Sequence, residues 1–174
     1  INDKEKRKKI FIELVLFRSI TLIFATIIYY FTFMRNGEYS QYYRILIFEL
    51  FAAMFDISWF FQGLEEFKKT VTRNILVRLT SVVLIFIFVK QPSDLNKYLT
   101  IYALADFIGN ISLWAYLPKY FRGIKVKNIN IVKQIPAVML LFIPQFENKV
   151  YNMLDTTMLG VLIKDKSETG YYEQ

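Results

Sequence analysis

The chain has 174 residues, of which 55% are hydrophobic and 18% aromatic, and it carries a formal charge of +7 with neither cysteine nor histidine. Those absences exclude disulfides, thiolate or imidazole metal ligands, a cysteine nucleophile and a histidine general base. Length alone would allow one soluble domain, so the arrangement of the apolar residues decides the class.

A basic head, Lys4, Lys6, Arg7, Lys8 and Lys9, precedes the first apolar block, Ile10 to Met34. This block is too long for a cleaved signal peptide, contains Glu13 and Arg18, and is followed by further apolar blocks. The second runs from Tyr42 to Phe61 and the third from Ile75 to Val89, whose stretch from Ser81 onward is apolar all round. The fourth runs from Tyr98 to Leu117. The fifth, Ile129 to Ile163, is interrupted by Pro136 and Pro144 and turns polar at Gln145, Glu147, Asn148, Lys149, Asn152 and Asp155. A kink beside a cavity is expected there, with a re-entrant surface segment as the competing reading, and Gly160 with the polar stretch Lys164 to Thr169 closes the block. Each block approaches the roughly 20 residues that span a bilayer core, so the chain reads as an all-α polytopic transmembrane bundle of about five spans. The first residue is Ile1 rather than Met, and a piece of a longer protein is expected.

Charge sets the orientation. The basic head, the segment holding Lys68, Lys69 and Arg73, and the segment holding Lys119, Arg122, Lys125, Lys127 and Lys133 alternate with two loops poorer in cations. In those loops Arg35 is offset by Glu38, and Lys90 and Lys97 flank Asp94. One assignment satisfies the positive-inside rule at every loop and puts the N-terminal end in the cytoplasm. The basic segments are read as orientation signals that touch anionic headgroups, not as a nucleic-acid surface.

Ionisable groups deep in the membrane cost about 2.5 to 3.5 kcal/mol each on insertion scales, so each requires a partner or an aqueous face. At 1.5 Å per residue Arg18, Glu49 and Asp106 lie about 12, 18 and 16 Å from the cytoplasmic ends of their spans, all near the midplane. Asp56 and Arg78 sit at similar depth on antiparallel neighbours, which makes an ion pair between them the structural expectation; Arg78 is equally able to snorkel. Polar faces recur at helical spacing: Asn74, Arg78 and Ser81; Tyr102, Asp106 and Asn110; Gln145, Asn148, Asn152 and Asp155. Interhelical hydrogen bonding is the plain account of one such face, whereas faces on three spans point to a hydrophilic pathway. Arginines with carboxylates suit an anionic, hydroxyl-rich cargo, with a cation or drug antiporter and a membrane enzyme acting on lipid-linked substrates as alternatives.

Asp56-Ile-Ser-Trp-Phe-Phe-Gln-Gly-Leu-Glu65-Glu-Phe, followed by Arg73-Asn-Ile-Leu-Val-Arg78, resembles the signature of polysaccharide repeat-unit flippases. They belong to the multidrug/oligosaccharidyl-lipid/polysaccharide exporter superfamily. Tyr151 to Gly160 and Glu168 to Gln174 resemble another segment of the same family. The resemblance implies a two-lobed transporter of the bacterial cytoplasmic membrane, not an enzyme. It would move undecaprenyl-diphosphate-linked oligosaccharides by alternating access, without a cofactor and with Na+ or H+ as coupling ion. Residues 1–118 would be four helices of the first lobe, 119–133 the inter-lobe loop, and 134–174 the first helix of the second lobe with its outer loop. The partners implied are the bilayer, the lipid-linked cargo and the remaining helices of the full-length transporter. On this reading Arg18, Glu49, Asp106, Asn152 and Asp155 are candidate cargo contacts, the three carboxylates doubling as coupling sites, and Asp56 with Arg78 is a structural or gating pair. Trp59 is assigned to an interfacial anchor, and Gln62 with Gly63 to the turn into an inner loop. A multidrug or cation antiporter of the same superfamily is the alternative, and a glycan polymerase or glycosyltransferase a more distant one.

Overall fold

The computed structural model describes residues 3–35 and 39–162, the side chains of 152, 155, 156 and 159–162 excepted. Helices α1 (Asp3–Tyr29), α2 (Ser40–Phe55), α3 (Ser58–Gly63), α4 (Phe67–Phe88), α5 (Leu95–Trp114), α6 (Pro118–Phe121) and α7 (Ile135–Leu162) follow in chain order. A π-helical turn, Tyr30–Met34, extends α1, and 3-10 turns at Pro92–Asp94 and Ile131–Gln134 lead into α5 and α7. No strand occurs among the described residues. The chain is therefore an all-α membrane protein. It divides into two units, residues 1–129 and 130–174.

Helix boundaries differ from the apolar blocks in an informative way. Both α1 and α4 begin inside basic segments, at Asp3 and Phe67, because lysine and arginine are good helix formers and nothing there interrupts the ladder. Three helical segments among the described residues, Asp3–Met34, Ser40–Gly63 and Phe67–Phe88, are long and apolar enough to cross a membrane. Five were expected. Lys97, Asp106 and Asn110 dilute the apolar character of α5, and Gln145, Glu147, Asn148 and Lys149 that of α7. The expected outer closure of the last block, Lys164 to Thr169, and the family-like segment Glu168 to Gln174 lie outside the described residues. Pro136 falls in the first turn of α7, where its missing N–H costs little, while Pro144 is accommodated inside the helix.

In the first unit α2 packs mainly on α5, and α5 in turn on α4. Gly109 permits the second contact: a Cβ there would stand 2.5 Å from Val77 Cγ2 and 3.3 Å from Arg73 Cδ. The second apolar segment is not one helix. It breaks at Asp56 and Ile57, and the break strands carbonyls in the last turn of α2. α5 answers them: Asn110 Nδ2 donates to the Ala52 carbonyl and Trp114 Nε1 to the Phe55 carbonyl, each at 2.7 Å. The Asp56 N–H turns back to the Ala53 carbonyl.

Below the break α3 buries Phe60 and Phe61 in a cluster with Phe11 of α1, Leu113 of α5 and Phe121 of α6. Trp59 belongs to this packing, stacked on Phe11 with ring centroids 5.6 Å apart, and is not a free interfacial anchor. Lys8 ties α1 to the far side of the cluster by donating to the Phe121 and Ile124 carbonyls. By contrast, the bilayer-length part of α1 leaves Ile20, Phe24 and Ile27 at least half exposed, as a lipid-facing helix does.

The turn from α3 into α4 is a Schellman motif. Glu66 N–H donates to the Phe61 carbonyl and Glu65 N–H to the Gln62 carbonyl, both at 2.9 Å. Its left-handed residue is Glu65, at φ 59°, and not the nearby Gly63, which closes α3 in open space. Between α4 and α5 the Asp94 carboxylate pairs with Lys97 and accepts from the Lys90 and Gln91 N–H groups. Those contacts hold it down to about 2.

Two outcomes follow from the break and the turn. Glu65→Gly, by relieving the left-handed strain, raises detergent-solubilised stability by about 1 kcal/mol. Trp114→Phe leaves the Phe55 carbonyl without its donor and lowers stability by about 1 kcal/mol. Thermal denaturation followed by helical circular dichroism reads both.

Candidate functional site

Asp56 organises the site because the helix break places its carboxylate where three elements meet. Oδ1 accepts from the Ser58 N–H at 2.9 Å and from the Ser58 hydroxyl, starting α3 as an Asx turn. Arg73, in the second turn of α4, donates from Nη2 to Ser58 Oγ at 2.7 Å and stands 3.7 Å from Asp56 Oδ1. Arg18 arrives from α1, its Nη2 3.6 Å from Asp56 Oδ2. One carboxylate thus lies between two guanidiniums, which leaves one positive charge in excess. The Arg73 Nε is buried and has no hydrogen-bond partner.

The ion pair expected between Asp56 and Arg78 is not the one formed. α4 begins at Phe67, eight residues before the third apolar block starts at Ile75, so Arg73 is the residue that comes level with the break. Arg73 was legible as part of a basic segment and of the family-like stretch to Arg78, but not as the partner of Asp56. The signal that would have found it is the helix start: six residues into α4 it sits about 9 Å along the axis, matched to the length of α3. Arg78 is exposed on α4 and interacts electrostatically with Tyr102 of α5.

Glu49 and Asp106 form a second polar site between α2 and α5. They are close enough to interact electrostatically, Tyr102 feels both, and Glu49 Oε1 is buried without a hydrogen-bond partner. Asn110, on the same face as Tyr102 and Asp106, is instead committed to the Ala52 carbonyl, so that face is divided between packing and free polar groups. No cluster of three or more metal-ligating side chains is present among the described residues. Asn152 and Asp155 lie on α7 in the second unit, and their side chains are outside the described residues.

A third group closes the basic end of α4. Glu66 accepts from Lys69 and Tyr120, and the Lys69 ammonium stands over the rings of Phe61, Tyr116 and Tyr120 at 5.2, 5.4 and 4.7 Å. The hydrogen bonds from Lys69 and then Tyr120 lower the Glu66 carboxyl below its ordinary range. Burial, and then the bond to Glu66, raise the Tyr120 hydroxyl.

An apolar helical bundle with partly buried arginines and carboxylates between its helices defines a multi-pass membrane protein. The chain belongs to the polysaccharide biosynthesis protein family, whose pattern it matches over residues 1–174. A Shigella dysenteriae protein named as an O-antigen transporter is 31% identical over 133 residues, covering 74% of this chain and 33% of the relative. The chain therefore spans about a third of that relative's length. No solved structure matches it.

Asp56 is the member whose loss the cluster tolerates least. Asp56→Asn leaves two guanidiniums facing each other and costs roughly 1 to 2 kcal/mol, a figure reduced because Arg18 and Asp56 are about a third exposed. Arg18→Ala costs less, and the double variant recovers part of the Asp56→Asn loss. A double-mutant cycle on thermal stability measures the difference.

Proposed function

We propose that the chain is part of a flippase that carries polyprenyl-diphosphate-linked oligosaccharide repeat units across the bacterial cytoplasmic membrane for surface polysaccharide assembly. The observation that carries this reading is the excess positive charge at Arg18, Asp56 and Arg73, set inside an apolar bundle of a polysaccharide biosynthesis family member. A diphosphate is the complementary anion, because guanidinium groups fork onto its oxygens, and a carboxylate held between them prevents their mutual repulsion while the site is empty. The name of the Shigella relative supports the same assignment.

Transport on this reading is alternating access by rocking of two helical lobes, with no bond made or broken. The N-terminal end faces the cytoplasm, in keeping with the charge alternation along the loops. Glu49 and Asp106 take the coupling proton or sodium ion, and Asn152 and Asp155 contribute sugar contacts from the second unit. The paired carboxylates also favour a second reading, a cation-coupled multidrug antiporter, since such a pair accepts a cation whatever the cargo.

The test is transfer of a fluorescent polyprenyl-diphosphate oligosaccharide across proteoliposomes containing the polypeptide that carries these helices. Arg18→Ala is expected to cut the initial rate about tenfold or more, the equivalent of one charge-assisted contact of roughly 1.5 kcal/mol. Glu49→Gln is expected to remove the dependence on the imposed ion gradient. Movement of a drug cation without any oligosaccharide transfer would replace the flippase with the antiporter.

A further inference from the structure

A second feature lies outside the charged cluster. It is a groove of about 580 Å³ between α4 and α5, and one wall is shared with that cluster through Arg73. Along α4 it runs from Lys69 to Leu84, fifteen residues or about 22 Å of helix. Its walls there are mainly apolar, and Leu76, Leu104 and Ile108 on them are exposed. Its two cations, Lys69 and Arg73, line one end with Thr72 and Tyr116, while the hydroxyls of Thr80 and Thr100 lie along the rest.

From this we infer that the groove binds a phosphate-headed membrane lipid, with one aliphatic chain along α4 and α5 and the phosphate at the Arg73 end. Charge complementarity selects the headgroup. Lys69 is already matched by Glu66, but Arg73 shares Asp56 with Arg18, so the groove's charged end carries surplus positive charge. Shape selects the chain. A helix about 10 Å across cannot enter a groove of this volume, whereas a single hydrocarbon chain follows it lengthwise. Gly109 keeps its floor narrow, because the approach of Val77 and Arg73 to α5 leaves no room for a larger residue.

Binding here does not depend on transport, so it is tested without it. The full chain in lipid nanodiscs is exposed to phosphatidic acid bearing a photoreactive group in the acyl chain, and in parallel to phosphatidylcholine with the same chain, and adducts are mapped by mass spectrometry. Phosphatidic acid is expected to label Leu76, Leu104 and Ile108 in preference to Ile20 and Phe24 of α1, which face the bilayer just as openly. Arg73→Ala is expected to lower that labelling about fivefold, the effect of one cation on an anionic lipid, while leaving phosphatidylcholine unchanged. Arg73→Lys, which keeps the charge, should retain the preference, and Leu104→Trp should block the groove to both lipids. Helical circular dichroism separates these effects from misfolding. Equal labelling of α1 and the groove, equal labelling by the two lipids, competition by inorganic phosphate, or a groove protected by self-association of the chain would each overturn the inference.

Discussion

Everything in the first unit depends on how a membrane helix can stop partway through. At Asp56 the backbone leaves the helical ladder, and in an apolar surrounding each freed carbonyl costs several kcal/mol if it stays unpaired. The cost is met by side chains one turn apart on the neighbouring helix, Asn110 and Trp114, and by the Asp56 N–H itself. That solution fixes the register of α5 on α2, and Gly109 then fixes how closely α4 lies on α5. The break also turns the Asp56 carboxylate away from a helix face and toward Arg18 and Arg73, so the packing solution and the charged site are one arrangement.

Charge in this protein is neutralised locally and incompletely. Asp94 is fully engaged by Lys97 and two backbone N–H groups in an exposed turn, and Glu66 by Lys69 and Tyr120 at the basic end of α4. The interior clusters are different. Two arginines share one carboxylate, and two carboxylates, Glu49 of α2 and Asp106 of α5, interact electrostatically. The first holds a surplus of positive charge at the break; the second lies near Tyr102, which also feels Arg78. Residual charge of this kind is costly for stability and useful for binding ions, which is why such groups are read as functional.

The class of the molecule and its helical nature were legible from the lengths of its apolar blocks, each near the span of a bilayer core. Arg18 and Asp56 could be singled out because a charge inside an apolar block is conspicuous. Their mutual contact could not be, because it depends on a helix break that periodicity does not mark: Ile57 to Phe61 is as apolar as the helix before it. Arg73 was hidden for the opposite reason, sitting among basic residues that appeared to belong to a loop. Glu65 illustrates a local limit, since turn chemistry favours glycine for a left-handed position and Gly63 was the nearest one, yet two backbone hydrogen bonds settle the turn two residues later. The polar residues that form stripes on α5 and α7 also separate them from the three segments, among the described residues, that are apolar enough to span by composition alone.

Lys8 and Lys69 belong to the basic segments that the charge alternation assigns to orientation, yet in the folded protein neither is a free surface cation. One is bound to two backbone carbonyls at the end of α6, and the other is enclosed by three aromatic rings and a carboxylate. The two roles belong to different moments in the life of the chain. During insertion the ammonium groups are hydrated and resist crossing; once the helices have gathered, the same groups become internal fasteners. A lysine kept for its charge during biogenesis thus acquires a second constraint, of shape, which arginine could meet at the first moment and fail at the second.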